Sequence, residues 1–134
     1  MAKGPEGKYI AKVHRALNGS VYHMSNTNPY IGGIPDIYYE GTGGCLWVEY
    51  KCIKNWPKKL DCTKLLTANQ ISWLRRAQKN HGNCAMIVGT YDGEGIILRN
   101  LSWEVIQNPS HLTKYTPKEI AQTIALKLLK PTHV

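Results

Sequence analysis

The chain has 134 residues, a length typical of one domain with its own hydrophobic core. A hydrophobic content of 43% excludes a disordered tail. No apolar run is long enough to span a membrane, and the first residues do not form a secretory signal. These features predict a soluble, cytoplasmic protein whose single domain covers residues 1–134.

The net charge is +8, from 17 basic and 9 acidic residues, which favours an anionic partner. Much of it lies between residues 51 and 79, where Asp61 is the only acid. A solvated basic surface would explain this charge about as well, but we expect nucleic acid as the partner. The basic residues of this stretch are Lys51, Lys54, Lys58, Lys59, Lys64, Arg75, Arg76 and Lys79.

The four cysteines form no C-x-x-C pair and have no histidine at zinc-finger spacing. Reduced thiols that pack in the interior are therefore expected rather than disulfides or a zinc site. The cysteines are Cys45, Cys52, Cys62 and Cys84.

The first predicted element is a helix over residues 5–18, because Pro5 suits a first helical position and apolar residues recur at helical spacing. Glu6 lies four residues before Ile10 and so extends the inward stripe. The helix dipole alone would also favour an acid there. A separate face carries Lys8, Lys12 and Arg15.

The later patterns alternate between strands and helices. A continuous apolar run over residues 84–90 is typical of a buried, parallel strand. Thr67 begins one predicted helix and Thr116 another, which runs to about Lys130. The remaining predicted strands cover residues 21–24, 34–40, 45–53 and 96–99. This order predicts an α/β fold, with a mixed sheet flanked by helices.

Charged residues interrupt two apolar strands around a Gly-rich turn, between Gly33 and Lys51. A four-residue turn over Gly41–Gly44 would place Asp36 directly opposite Glu49, with Cβ atoms about 4.5–5.5 Å apart. Lys51 would share that face, about 6.5 Å along the strand. Two opposed carboxylates repel each other, so we expect a divalent cation between them.

Oxygen ligands of this kind suit Mg²⁺, with Mn²⁺ as a substitute. The ammonium of Lys51 can orient or deprotonate a water and offset charge that develops on a phosphate. A surface ion cluster is the simpler alternative, but Cys45 and Trp47 on the same face disfavour it. The pattern predicts cleavage of a phosphodiester.

Pro35 and Asp36, followed thirteen positions later by Glu49-Tyr50-Lys51, resemble the PD-(D/E)XK nuclease signature. The wider pattern resembles the virus-type replication-repair nuclease (VRR-NUC) domain, over roughly residues 5–90. The motifs that carry this resemblance are P-E-G-K (5–8), G-I-P-D (33–36), W-V-E-Y-K (47–51), L-T-A-N-Q (66–70) and A-M-I-V (85–88).

The resemblance implies a restriction-endonuclease-like core, with residues 91–134 as a C-terminal extension. It implies metal ligands from Asp36, Glu49, the Tyr50 carbonyl and Glu6, and a role for Lys51 at the nucleophilic water. Gln70 matches a glutamine that often lies at this site. Thr67 and Gln70 also form a T-x-x-Q capping box, which would explain Gln70 structurally.

The segment between Lys51 and Gln70 is longer than usual for this family. It is rich in lysines around Trp56 and so resembles a DNA-contacting loop, with Trp56 as a stacking residue or a lid over the core. The predicted DNA contacts are Lys8, Lys12, Arg15, Lys54, Trp56, Lys58, Lys59, Lys64, Arg75 and Arg76.

We therefore predict a metal-dependent DNA endonuclease of phage or mobile-element type that acts on branched DNA such as Holliday junctions. A sequence-specific nicking or homing endonuclease would use the same site, and a catalytically idle DNA-binding module is the rival class. A homodimer is expected, because cutting two strands requires two active sites. The last helix is the predicted interface. Its residues Ile120, Ile124 and Leu128 should face the core or a partner, and Ala121, Ala125 and Leu129 widen the apolar side, which core packing alone would explain about as well.

Overall fold

The computed structural model describes residues 4–26, 32–80 and 82–129. Within these ranges the chain forms three α-helices and five β-strands. No helix there is both long and apolar enough to cross a membrane. The elements are α1 (Pro5–Leu17), β1 (Tyr22–Ser25), β2 (Ile37–Gly41), β3 (Gly44–Ile53), α2 (Ala68–Asn80), β4 (Cys84–Thr90), β5 (Gly95–Arg99) and α3 (Pro117–Leu128).

The five strands form one mixed sheet in the order β1-β2-β3-β4-β5. Strands β3 and β4 run parallel, and every other neighbouring pair is antiparallel. All seven residues of β4 are buried, as expected for a central strand covered on both faces. The predicted α/β fold with a mixed sheet and a buried parallel strand is confirmed.

Each face of the sheet carries its own hydrophobic core. Helices α1 and α3 pack on each other and cover one face, around Val13, Val48 and Ile120. Helix α2 and the segments that flank it cover the other face, around Leu74 and Met86. Because side chains alternate along a strand, neighbouring residues of β3 belong to different cores.

Local capping fixes the ends of the outer helices. Pro5 occupies the start of α1, and Asn18 ends it in the left-handed conformation, with φ 49°. The predicted capping box at Thr116 and Glu119 is present at the start of α3.

The segment after residue 90 is integrated into the fold. Strand β5 pairs with β4, and α3 buries Ile120, Ile124 and Leu128 as predicted. Ala121 is also buried, with 2% of its surface exposed, so it contacts the chain's own core and not a partner. The broad apolar side of α3 is therefore largely used inside the molecule.

The hairpin of β2 and β3 differs from the prediction in two details. Gly41 pairs with Gly44, so the turn contains only Thr42 and Gly43, while the register beyond it is the predicted one. Strand β2 begins at Ile37, so the predicted start at residue 34 is wrong. Asp36 consequently lies just before the strand, where its side chain is not constrained by ladder geometry.

Candidate active site

Three charged residues lie together on the sheet face that α2 covers. Trp47, Glu49 and Lys51 occupy every second position of β3, so their side chains lie on the same face. The ring centroid of Trp47 is 4.8 Å from that of Tyr38 on β2. The Lys51 Nζ atom is 3.5 Å from Glu49 Oε2. The prediction that Glu49 and Lys51 share a face with Trp47 is confirmed.

Asp36 lies where the β2–β3 ladder ends. The last pair joins Ile37 to Val48, and beyond it the Tyr50 amide donates to Asp36 Oδ2 at 3.1 Å. The carboxylate therefore takes the place of a backbone acceptor. The Asn26 amide donates to the Asp36 carbonyl at 2.8 Å and so fixes its backbone. Because the N–H and C=O of a strand residue point to the same neighbour, the Tyr50 carbonyl faces the Asp36 side.

Glu49 is almost completely buried, with 1% of its surface exposed. Its Oε2 atom receives the Gln70 Nε2–H at 3.3 Å and lies 3.5 Å from the Lys51 Nζ atom. Its Oε1 atom has no hydrogen-bond partner among the described residues. A buried carboxylate oxygen without a partner is energetically costly, so this atom needs a ligand or a proton.

Burial raises the pKa of Glu49 to about 9, and the negative charge of Asp36 adds to this effect. Lys51 acts in the opposite direction, but its attraction is the smaller contribution. Glu49 is therefore protonated at neutral pH in the protein without metal. A cation that neutralises the pair would restore the carboxylate form.

The raised pKa makes the metal-free protein less stable in alkali. Between about pH 4.5 and about 9 the unfolded chain releases the Glu49 proton while the folded chain keeps it, so the free energy of unfolding falls as pH rises. We expect Glu49→Gln to flatten this slope and to stabilise the metal-free protein at pH 8 by about 1–3 kcal/mol.

Urea unfolding in EDTA at several pH values measures this effect. The matched control is Glu40→Gln, which removes an exposed carboxylate from the same hairpin. Equal pH slopes for wild type and Glu49→Gln would contradict the assignment of Glu49 as a buried acid held neutral.

Glu6 approaches the same group from the first turn of α1. Burial and the neighbouring Asp36 carboxylate raise the pKa of Glu6 to about 7, while Lys51 lowers it. Both interactions place Glu6 beside Asp36 and Lys51, as the inward stripe predicts. The helix dipole would not require these contacts.

Gln70 performs both of the roles that the sequence presented as alternatives. Its Oε1 atom accepts the Thr67 amide at 2.9 Å, and the Thr67 hydroxyl accepts the Gln70 amide at 3.1 Å, which together form the capping box. Its Nε2 atom donates to Glu49. The cap thus fixes the side chain that orients the buried carboxylate.

The loop before Asp36 packs closely against the start of α2. Gly33 has φ +85°, and a Cβ atom there would lie 2.3 Å from the Asn69 carbonyl oxygen. Only glycine permits both this conformation and this approach. The contact brings the chain that carries Asp36 beside the helix turn that carries Gln70.

The donor atoms at this site determine which cation it can hold. Among residues 4–26, 32–80 and 82–129, no three His, Cys, Asp or Glu side chains are arranged to hold a metal ion by themselves. Two carboxylates and a backbone carbonyl, completed by water and substrate oxygens, nevertheless suit Mg²⁺. The unpartnered Oε1 atom of Glu49 fits this role, whereas direct ligation by Glu6 stays a prediction.

A chain of hydrogen bonds behind the site was not predicted. The hydroxyls of Tyr39 and Tyr50 are 2.7 Å apart, and His14 Nε2 lies 2.8 Å from the Tyr39 hydroxyl. These contacts join α1 to β2 and β3 through the other core and fix Tyr50, whose amide holds Asp36. No spacing signals them, because they depend on how a helix packs across the sheet.

The predicted DNA-contact residues occupy different surfaces. Arg75 is bound to Glu104, so its guanidinium is engaged within the fold. Trp56 is half-buried and donates its indole N–H to Glu94 at 2.9 Å, while Lys114 Nζ lies 5.9 Å from its ring centroid. The other basic residues of the predicted contact set are also exposed, and these are Lys8, Lys12, Arg15, Lys54, Lys58, Lys59, Lys64 and Arg76.

The four cysteines are free, as predicted.

The chain matches no protein-family model and no curated protein sequence. The resemblance to the VRR-NUC domain therefore stays a prediction.

The fold has a clear counterpart among solved structures. The chain is similar to Hjc of Archaeoglobus fulgidus, a Holliday junction resolvase from an archaeal hyperthermophile, with a TM-score of 0.56. The two sequences are 15% identical, and the match covers 87% of this chain and 99% of the resolvase chain. At this identity the similarity establishes the fold, a mixed sheet flanked by helices of the resolvase and restriction-endonuclease type, which confirms the predicted fold class.

Proposed function

We propose that the protein is a divalent-metal-dependent DNA endonuclease. The observation that carries this proposal is the buried carboxyl group of Glu49, which has one oxygen without a partner among the described residues and lies beside the half-buried Asp36 and Lys51. An idle DNA-binding module would have no use for a buried acid held at this cost.

Branched DNA is the proposed substrate. The solved structure of similar fold is a Holliday junction resolvase, and the match includes nearly all of that chain. The net charge of +8 is consistent with a polyanionic substrate.

The proposed mechanism assigns a task to each side chain at the site. Asp36 and Glu49 would hold Mg²⁺, together with the Tyr50 carbonyl. The metal would supply Lewis-acid polarisation of a phosphodiester. Lys51 would orient the attacking water and offset charge on the phosphate. Its ammonium lies beside Glu49 and its side chain is only 23% exposed, which supports this role. Gln70 positions Glu49 by donating to it.

Gln70→Ala is expected to lower the cleavage rate about 10–100-fold, because second-layer partners of metal ligands have effects of this size. Thr67→Ala is the matched control. It removes the capping contact, at a cost of about 1 kcal/mol, but leaves the bond from Gln70 to Glu49. Single-turnover rates well below the melting temperature separate the two. Equal losses of cleavage rate in both variants would show that Gln70 acts only as a helix cap.

The loop around Trp56 is the proposed contact for duplex arms. Removing charge at Lys54, Lys58 and Lys59 together is expected to reduce the slope of log K against log salt by about two to three, because each phosphate contact contributes about 0.9. The control removes three other exposed lysines, Lys79, Lys118 and Lys127. If both triple variants show the same slope, the loop makes no specific contact.

The substrate proposal is tested with a four-way junction, a flap, a nicked duplex and a linear duplex that share arm sequences. Cleavage of the junction at several times the rate of the linear duplex is the expected result. Light scattering of the same samples tests the proposed homodimer. A protein mass of 15.1 kDa per particle, with the mass of any bound DNA subtracted, would indicate a monomer. Combined with single nicks in linear duplex, this result would instead indicate a nicking enzyme.

A further inference from the structure

A groove of about 490 Å³ runs between helix α1 and the turn that joins β4 to β5. One wall carries three basic side chains, and the opposite wall carries an exposed aromatic ring. None of the described residues that line the groove is acidic. The residues that define it are Lys8, Lys12, Arg15, Thr90, Tyr91 and Gly93.

The basic wall has regular spacing. Lys8, Lys12 and Arg15 follow one face of α1 and span about 10 Å of helix axis. All three are exposed, and none forms an ion pair with the described residues. Three charges over this length can contact several phosphates of one nucleic-acid strand.

The wall that carries Tyr91 lies at the ends of β3 and β4, where hydrogen bonds fix its backbone. Tyr91 is 56% exposed, although its amide donates to the Ile53 carbonyl at 3.1 Å and fixes its backbone. Asp92, the neighbouring acid, accepts the Thr90 hydroxyl and is thereby engaged in the turn. The ring of Tyr91 is therefore presented on an anchored backbone beside a groove lined by cations.

Tyr9 also lines the groove and is only 4% exposed. Its ring lies over Gly89 and its hydroxyl over Gly95, where added Cβ atoms would lie 2.7 Å and 2.0 Å away. The hydroxyl has no hydrogen-bond partner among the described residues. These contacts make Tyr9 a rigid part of the groove, because the ring cannot move toward the sheet.

We propose that this groove binds an unpaired segment of a DNA strand, with phosphates on Lys8, Lys12 and Arg15 and one base stacked on Tyr91. A duplex buries its base faces, so an exposed ring in a cationic groove is better suited to single-stranded nucleotides. Three cations exclude a purely apolar ligand.

The position of the groove connects it to the candidate active site. This inference rests on the proposed function. Thr90 pairs with Ile53, which lies two residues beyond Lys51 on β3, a distance of about 6.5 Å. Glu6, in the first turn of the same helix as Lys8, interacts with Asp36. The groove lies on the α1 side of the sheet and Lys51 faces the α2 side, so an unpaired strand that leaves the cleavage position would enter the groove by passing around this end of the sheet.

Fluorescence anisotropy with a labelled ten-nucleotide oligothymidylate and a blunt duplex, both in EDTA, tests the inference. Tyr91→Ala is expected to weaken single-strand binding at least about fivefold, the change that corresponds to about 1 kcal/mol of stacking, and to leave duplex binding unchanged. Tyr91→Phe should retain the affinity. Tyr22→Ala is the matched control, because Tyr22 is similarly exposed at 60% but lies on the edge strand β1.

Undiminished single-strand affinity in Tyr91→Ala, equal losses on both DNAs, or no single-strand binding by the wild type would each overturn the groove assignment. The assay requires no cleavage, so it separates the two proposals. A wild type that cuts no DNA but shows the Tyr91 effect would refute the nuclease function alone.

Discussion

Replacing Asp36 by Asn or Glu49 by Gln is expected to lower the single-turnover cleavage rate by about 10³-fold or more. Each change removes a negatively charged oxygen ligand while keeping the size of the side chain, so the loss reports charge and not packing. Lys51→Ala is expected to have an effect in the same direction, because the ammonium lies 3.5 Å from Glu49 and serves the same reaction centre.

DNA affinity provides the internal control for these variants. Without metal the Asp36 carboxylate repels phosphate, so Asp36→Asn should leave binding unchanged or make it tighter. Glu49 is already protonated in that state, so Glu49→Gln should leave binding unchanged. Glu40→Gln, on the exposed end of the same hairpin, should cut DNA at the wild-type rate. Near-normal turnover in any one of the three site variants would remove that residue from the catalytic assignment.

Cleavage is expected to require a divalent metal, with activity in Mg²⁺ or Mn²⁺ and none after metal removal. The reason lies in the site itself, where Glu49 is buried next to the Asp36 carboxylate and Lys51 supplies too little positive charge to keep Glu49 ionised without a metal. Ca²⁺ should support DNA binding without cleavage, because its larger radius and looser geometry suit binding better than this chemistry.

Rates measured in a titration of each metal, after treatment with chelator, check this expectation. Restoration by Mg²⁺ controls for irreversible damage during stripping. Undiminished cleavage in excess EDTA would rule out the metal-dependent mechanism, whatever residues contribute to it.

Much of the site could be predicted from local sequence patterns. The alternation along β3 places Glu49, Lys51 and Trp47 on one face whatever the exact ends of the strand. The turn was shorter than predicted, yet Tyr38 still faces Trp47, because pairing Gly41 with Gly44 leaves the register unchanged. The alternation of side chains along the strands and the strand register could therefore be predicted from the sequence.

Contacts between segments that are distant in the sequence could not be predicted in this way. The side-chain bond from Asp36 to the Tyr50 amide exists because β2 begins late, and strand ends are poorly encoded. The sequence also could not show that Gln70 serves both Thr67 and Glu49, because the second contact depends on how α2 docks on the sheet.

Helix α3 is a second case in which the sequence could not show what a residue contacts. Ala121 was assigned to a partner surface from the width of the apolar stripe, but it packs in the core formed with α1. A stripe reports how much of a helix is buried and does not report what buries it. Ala121 is therefore removed from the predicted interface, whereas the half-buried Ala125 and Leu129, which is 37% exposed, stay predicted interface residues.

Anomalous diffraction from crystals grown with Mn²⁺ tests the central claim most directly, since it locates the metal independently of activity. The account predicts one strong peak within bonding distance of both the Asp36 and Glu49 carboxylates, on the side that the Tyr50 carbonyl faces. Crystals of protein that cuts DNA in Mn²⁺, but with no peak at these two carboxylates, would contradict it.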